Sequence, residues 1–457
     1  MTRSIPLFSI FLFVALFIPL FPSISIDQTL TLLLYLASAG FLYLHLKKTN
    51  FLFDSVLIFY ISFVIFIAIG AIIFLNDSSF LINTLSSGDD LNNILDKYSL
   101  YMSIGFFAFI FSSFVFLFFR DYLLLNKKTI PINSRFIIPI VFLISLFISV
   151  IGFLLEPNYV SNLSQFFSGS LDGRDIRMAT TLEDSSSSYA GKGIVNVIKY
   201  QLLPFTSLAF IILNKNRRFL ILSTILVVFI VLIGEFRRAP ALFFLISIFF
   251  YFLFFDNSLK KSPSVMKLFF YFIIFILAYT LLSLTLGRSS ESIFLFTYEL
   301  LYRIFISSAQ TGTYIFQIIP AIMPELNGSS YIQNLPSFIT GMDDWSFAAE
   351  IFYYIHGRQG GASFSFISEG YANFGIYGIF LTTILLSLLF SYVEYNFQKR
   401  SSDYLELAFY IFFLINLVPA FVMGSLVGPM INIILVRITI FLMNLVTISL
   451  FSVNRKN

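Results

Sequence analysis

Long apolar runs alternate with short polar stretches along the whole chain, at the spacing of helices that cross a membrane. Residues 56–75, VLIFYISFVIFIAIGAIIFL, carry no charge over 20 positions. At about 1.5 Å per residue such a run covers a hydrocarbon core about 30 Å thick. The stretch FLILSTILVVFIVLI, 219–233, is of the same kind. Read end to end, the pattern predicts about twelve spans, near 4–22, 28–46, 51–75, 98–119, 134–156, 196–213, 219–235, 239–255, 268–287, 366–394, 405–424 and 428–451. The N-terminal MTRSIPLFSIFLFVALFIPLFPSIS has the hydropathy of a signal peptide. It lacks an Ala-x-Ala cleavage pattern before Asp27 and is read as the first span.

Composition agrees with the pattern. Of 457 residues, 58% are hydrophobic and 11% charged, with mean hydropathy +0.90, whereas a soluble chain carries roughly a quarter charged residues. The expectation is an all-α polytopic membrane protein with one transmembrane domain over 1–457. Cysteine is absent, which excludes disulfides, thiolate nucleophiles and thiolate metal sites. Only His45 and His356 offer imidazole, so no metal centre is expected. No Walker A pattern is present, and nothing points to ATP, another cofactor or nucleic acid.

Charge sets the expected topology. An even span count puts both termini on one side, and the positive-inside rule makes that side cytoplasmic. The inner segments are then MTR, HLKKTN, RDYLLLNKK to Arg135, NKNRR, DNSLKKSPSVMK, YNFQKRSSDYLE and NRKN, which together hold 17 of the 28 basic residues. The remainder has three lysines (Lys97, Lys192, Lys199) and eight arginines: Arg174, Arg177, Arg237, Arg238, Arg288, Arg303, Arg358 and Arg437. A planar guanidinium binds phosphate or carboxylate through two hydrogen bonds, which an ammonium cannot do. An arginine excess on the outer side suggests an anionic ligand there; pairing of each with an outer acid is the alternative.

Two long outer segments follow from this topology. One is 157–195, polar and rich in Ser and Gly; the other is 288–365, in which ESIFLFTYELLYRIFISSAQTGTYIFQII has helical period. Within the second, Glu299 and Arg303 stand in the favourable i,i+4 order, as a ligand-side pair or a surface one. The segment is expected to form helices at the membrane interface, with a turn at MPELNGSS. GEFRRAP places Arg237 and Arg238 at an outer turn, and SSGDD places Asp89 and Asp90 in an outer loop. Arg437 lies inside the last span, where a charge is costly and points to function or to a buried partner.

The most unusual stretch is HGRQGGASFSFISEGYANFGIYGIF, 356–380. If 362–380 is one helix, Ser365, Glu369, Asn373 and Tyr377 make a polar stripe, and Ser368, Ala372, Gly375 and Gly378 a stripe of small residues. Gly360 and Gly361 would let backbone N–H groups face an anion beside Arg358. A helix-packing motif with Glu369 neutralised by Arg358 is the other reading. No internal repeat is visible.

GASFSFISEGYANFGIYGIF, LNGSSYIQNLPSFI and GEFRRAP, with the length, span count, large late loop and phenylalanine-rich composition, resemble Wzy-type O-antigen and oligosaccharide repeat-unit polymerases. The related ligases carry a His and a polar residue about ten positions before a Gly-x-x-Gly-like pair. Here that pair is Gly375 and Gly378, and Phe364 and Ser365 stand in the earlier place, which favours the polymerase. The resemblance implies a GT-C-like fold in the bacterial inner membrane, with a large periplasmic loop and an active periplasmic face. It implies transfer of a growing glycan on undecaprenyl pyrophosphate to a lipid-linked repeat unit, without a metal, alongside membrane lipid and a chain-length regulator. The residues then suggest Arg174, Arg177, Arg237, Arg238, Arg303, Arg358 and Arg437 as binding groups. Glu369 and His356 are the candidate bases, followed by Asp343 and Asp344. A lipid-linked oligosaccharide flippase, an O-antigen ligase and a metal-dependent transferase using Asp89 and Asp90 are the competing readings.

Overall fold

A computed structural model of the protein describes residues 26–49, 54–76, 89–123, 135–155, 164, 168, 192–234, 238–255, 301–333, 335, 347–357, 361–400 and 403–453. Every regular element among them is helical. Eight helices are long and apolar enough to cross a membrane: α1 (Ile26–Thr49), α2 (Ser55–Phe74), α3 (Asp90–Phe118), α4 (Ile137–Leu155), α5 (Lys192–Leu213), α10 (Phe366–Lys399), α11 (Tyr404–Met423) and α12 (Val427–Ser449). Two shorter apolar helices, α6 (Arg218–Ile233) and α7 (Ala239–Phe255), lie between them in sequence. The protein is therefore a multi-pass helical membrane protein. The expected spans at 4–22 and 268–287 and most of the expected loop 157–195 lie outside the described residues.

The helices show the two faces that lipid and protein demand. On α6, Phe219, Leu222, Leu226 and Ile230 are exposed, while Ile221, Thr224, Val228 and Val231 are buried. An apolar face left uncovered along a whole helix is the signature of a lipid contact. Proline shapes two of the others. Wide π turns at Ile198–Leu202 and Phe413–Leu417 sit just before Pro204 and Pro419, whose missing N–H groups free carbonyls in the preceding turn.

The chain forms two compact units: 1–128, 300–399 and 418–430 make one, and 129–299, 400–417 and 431–457 the other. The first has an aromatic core, with Phe59 stacked 3.8 Å from Phe109, Phe63 4.3 Å from Phe106, and Phe390 edge-on to Phe109. Phenylalanine suits this place because ring packing stabilises helix contacts where the hydrophobic effect gives little between lipid-immersed helices. In the second, small polar residues join helices: Ser145 to Thr206 at 3.1 Å, and Asn416 to Ser247 at 3.1 Å.

Two expectations change, one in the late loop and one in the helix that follows it. Helix α8 (Ser307–Ile318) has no wet face: it is buried from Ser308 through Ile318, packed against α2 and α3. Its small residues let it enter; Gly70 approaches so closely that a Cβ there would lie 2.6 Å from the Ala309 Cβ. Its hydroxyls bond back to their own helix, Thr311 to Ser307 O and Thr313 to Ala309 O.

The second change is in α10, which does not run straight. Phe374 (φ −144°, ψ 25°) and Gly375 (φ 57°, ψ −143°) break it, and the Gly375 conformation is one that side chains rarely tolerate. The short leg 366–373 and the long leg from 376 then press together. A Cβ on Gly370 would lie 2.8 Å from the Gly378 carbonyl oxygen, and one on Gly378 would overlap the Gly370 carbonyl. Small residues here serve a contact within one helix pair, and Tyr377, expected on the polar stripe, is 81% exposed.

Gly378→Ala should therefore destabilise the protein by about 3 kcal/mol, the upper end of overpacking costs. Gly40→Ala, with open space around it, should be neutral or stabilising. Thermal midpoints of the detergent-purified proteins check both.

Candidate functional site

The break in α10 frees backbone carbonyls that have no water to turn to, and the late loop meets them. Leu326 N–H donates to Ala372 O at 2.9 Å and Asn327 N–H to Asn373 O at 3.0 Å, closing the C-terminal end of the short leg. Asn373 accepts from Gly328 N–H at 2.9 Å and donates to Ser330 Oγ at 2.7 Å and to Glu369 O at 2.8 Å. At the other end of the leg Ser365 is the N-cap, its Oγ accepting from Ser368 N–H at 3.1 Å.

Glu369 sits at the centre, fully buried. Its Oε1 accepts from Ser330 Oγ and Ser425 Oγ, each at 3.1 Å, and its Oε2 from Leu426 N–H at 2.8 Å. Leu426 directly precedes α12, so the carboxylate lies where a helix N-terminus favours negative charge. Three donors from two other chain segments hold the carboxyl group in place. Beside it, burial and then the Glu369 charge push the Tyr331 phenol up. Glu369, Asn373 and Ser330 thus bring together the polar stripe of 356–380 and the turn of MPELNGSS, as one hydrogen-bonded unit.

An aromatic platform adjoins the same leg. Tyr371 stacks on Phe316 at 3.9 Å, with Tyr101 edge-on at 5.7 Å, and Lys97 Nζ lies 5.4 Å from the Tyr371 ring. Both rings are nearly buried and face each other, so the stack packs α8 against the short leg of α10.

The other sequence candidates divide. His356 is exposed at the end of α9 (Phe347–His356), its ring 4.3 Å from Phe352. Arg303 is exposed. Arg238 opens the seventh apolar helix, but its side chain, together with Arg174, Arg177, Arg237, Arg358, Asp343 and Asp344, lies outside the described residues. Asp90 is exposed in the first turn of α3, where an acid favours the helix N-terminus.

Arg437 takes the second of its two readings, a buried partner. Its Nη1 bonds both carboxylate oxygens of Glu406, at 2.8 and 2.6 Å, and its guanidinium lies 4.0 Å from the centre of the Phe409 ring. Arg400 Nη1 adds a second cation 3.7 Å from Glu406. The partner Glu406 belongs to the stretch that the charge pattern assigns to the opposite side, so Arg437 neutralises a buried acid and does not belong to an outer arginine set.

Sequence reasoning missed Glu350. It sits on α9, whose apolar face buries Phe347, Ile351 and Ile355. Its Oε2 is buried without a hydrogen-bond partner, and loss of water raises its pKa above the ordinary glutamate value. A raised carboxylate pKa is what proton transfer near neutrality requires. Its one legible signal was position, i−4 from the hydrophobic Tyr354 on a strongly amphipathic turn, which is not specific.

Glu406→Ala should destabilise by about 3 kcal/mol, because it strands a half-buried guanidinium. The double variant Glu406→Leu with Arg437→Met should recover most of that loss, read as thermal midpoints. Glu369→Ala should lower the yield of folded protein, whereas Glu369→Gln should fold, since its Oε1 can keep the Leu426 N–H bond while Ser330 and Ser425 turn their hydroxyls to accept.

Comparison with protein-family models, with curated proteins and with solved structures finds no match to this chain.

Proposed function

We propose that the protein is a Wzy-type repeat-unit polymerase of the bacterial inner membrane. It has about twelve spans in a GT-C-like arrangement, both termini in the cytoplasm, and an active periplasmic face. The observation that carries this reading is the meeting of two segments on which the resemblance rests. Residues 326–330 of LNGSSYIQNLPSFI bond directly to Glu369, Ala372 and Asn373 of GASFSFISEGYANFGIYGIF. Residues 39 and 45 positions apart in sequence form one polar centre beside an aromatic platform, and that centre would fix the wall of a saccharide acceptor site.

In the reaction, a hydroxyl of the lipid-linked acceptor unit attacks the anomeric carbon of the donor glycan. The bond from that carbon to the pyrophosphate oxygen breaks, undecaprenyl pyrophosphate leaves, and the hydroxyl proton passes to a base. Arg237, Arg238, Arg303 and Arg358 hold the leaving diphosphate, where preorganised cations stabilise developing charge. Arg174 and Arg177 bind either substrate. For the base we favour Glu350, whose raised pKa and unpartnered oxygen suit it. Glu369, with both oxygens occupied by donors, positions the loop that shapes the acceptor site; His356 stands as the remaining imidazole candidate.

Reconstitution with a synthetic lipid-linked repeat unit tests the reading: lengthened lipid-linked products are expected, and their absence from well-folded protein overturns it. Arg303→Lys and Arg358→Lys should abolish lengthening at normal protein levels. Glu350→Gln should slow transfer by about 100-fold or more. A base works deprotonated, so the wild-type rate should fall as pH drops through a pKa above the ordinary glutamate value, and Glu350→Gln should lose that acid limb.

A further inference from the structure

At the far end of α10 from Glu369, a second buried cluster joins three helix ends of the same unit. His45 lies in the last turns of α1, Asp54 is the N-cap of α2, and Glu394 lies near the C-terminal end of α10. All three side chains are buried, and one donor atom from each lies within 4.8 Å of the others. We propose that His45, Asp54 and Glu394 form a binding site for one divalent cation of the Zn²⁺ type.

The two carboxylates have the outer shell of a metal site, while the His45 Nδ1 is buried without a partner. In each carboxylate one oxygen is fixed from outside the cluster: Val56 N–H donates to Asp54 Oδ1 at 2.7 Å, and Gln398 Nε2 to Glu394 Oε1 at 3.1 Å. The other oxygens turn inward, Asp54 Oδ2 lying 2.8 Å from His45 Nε2 and Glu394 Oε2 3.1 Å from Ser55 Oγ. Outer donors that hold ligating carboxylates in this way orient the inner ligands. One nitrogen and two carboxylates are a donor set that a zinc-like ion takes, with a fourth position for water or the Ser55 hydroxyl. Bonds of about 2.0–2.2 Å require the donors to close in by about 1 Å from their widest separation, within reach of side-chain torsions alone. Two carboxylates buried side by side also repel unless a proton or a cation stands between them.

The alternative is a proton-linked His–Asp pair with a neighbouring acid, a purely structural cluster. That alternative binds no metal, which makes the two separable. No local pattern marks the site, because Ser55 and Glu394 are 339 positions apart. The site is independent of the glycan reading, and its test does not use transfer activity.

The full-length protein, purified in detergent and stripped with EDTA, is dialysed against Zn²⁺, and bound metal is counted by mass spectrometry alongside the thermal midpoint. Wild type should retain about one equivalent, and its midpoint should rise with Zn²⁺. His45→Gln, which can still bond Asp54, and Glu394→Gln should retain less than about a tenth of that, with midpoints indifferent to Zn²⁺. Gln398→Ala should weaken binding by about 10-fold while leaving the stripped midpoint near wild type. Failure of wild type to hold zinc, or equal retention by His45→Gln and Glu394→Gln, overturns the site. If both variants fail to fold, the wild-type count and the Gln398→Ala affinity decide.

Discussion

In a membrane, every backbone N–H and C=O must find its partner inside the protein, because the hydrocarbon supplies none. The break at Phe374 and Gly375 is possible only because the loop at 325–328 supplies the two N–H donors that Ala372 and Asn373 would otherwise lack. Much of the first unit's chemistry depends on that substitution. It brings the loop against α10, places Ser330 where it reaches both Asn373 and Glu369, and leaves Gly370 and Gly378 in a contact that any side chain would block.

Buried charge follows a similar rule with different means. Glu369 is met by hydroxyls and a backbone amide, Glu406 by two arginines, and Asp54 by the imidazole of His45. Donors without charge leave an anion in place and fix its neighbours, whereas an arginine cancels it. The distinction separates a carboxylate that organises a site from one that merely makes a span tolerable. It also removes Arg437 from the arginines available to an anionic ligand, although its place inside an apolar span marked it for attention.

The long helix α10 thereby connects two centres of different character. One end is broken and joined to a loop rich in Asn, Gly and Ser, beside the Tyr371–Phe316 stack. The other end is continuous and closes onto a His–Asp–Glu cluster at the ends of α1 and α2. The first is a closed network of hydrogen bonds and stacked rings, with Glu369, Asn373 and Ser330 buried and Tyr371 and Phe316 nearly so. The second has the compact donor set that an ion requires and no room for a larger ligand, since all three side chains are buried.

Hydropathy alone determined the helical class and the place of most spans, because a run long enough to cross lipid is fixed by composition over about 20 residues and needs no partner. It also picked out 356–380 as unusual, since Glu, Asn and several glycines at the start of an apolar run are costly without a reason. Tertiary structure decided what those residues do. The backbone torsions at Gly375 ended the polar stripe before Tyr377. The small residues of α8 buried a segment whose period suggested an interface. Glu406, 31 positions from Arg437, claimed that arginine. In each case the deciding contact came from another segment, and periodicity carries no record of which segment will arrive.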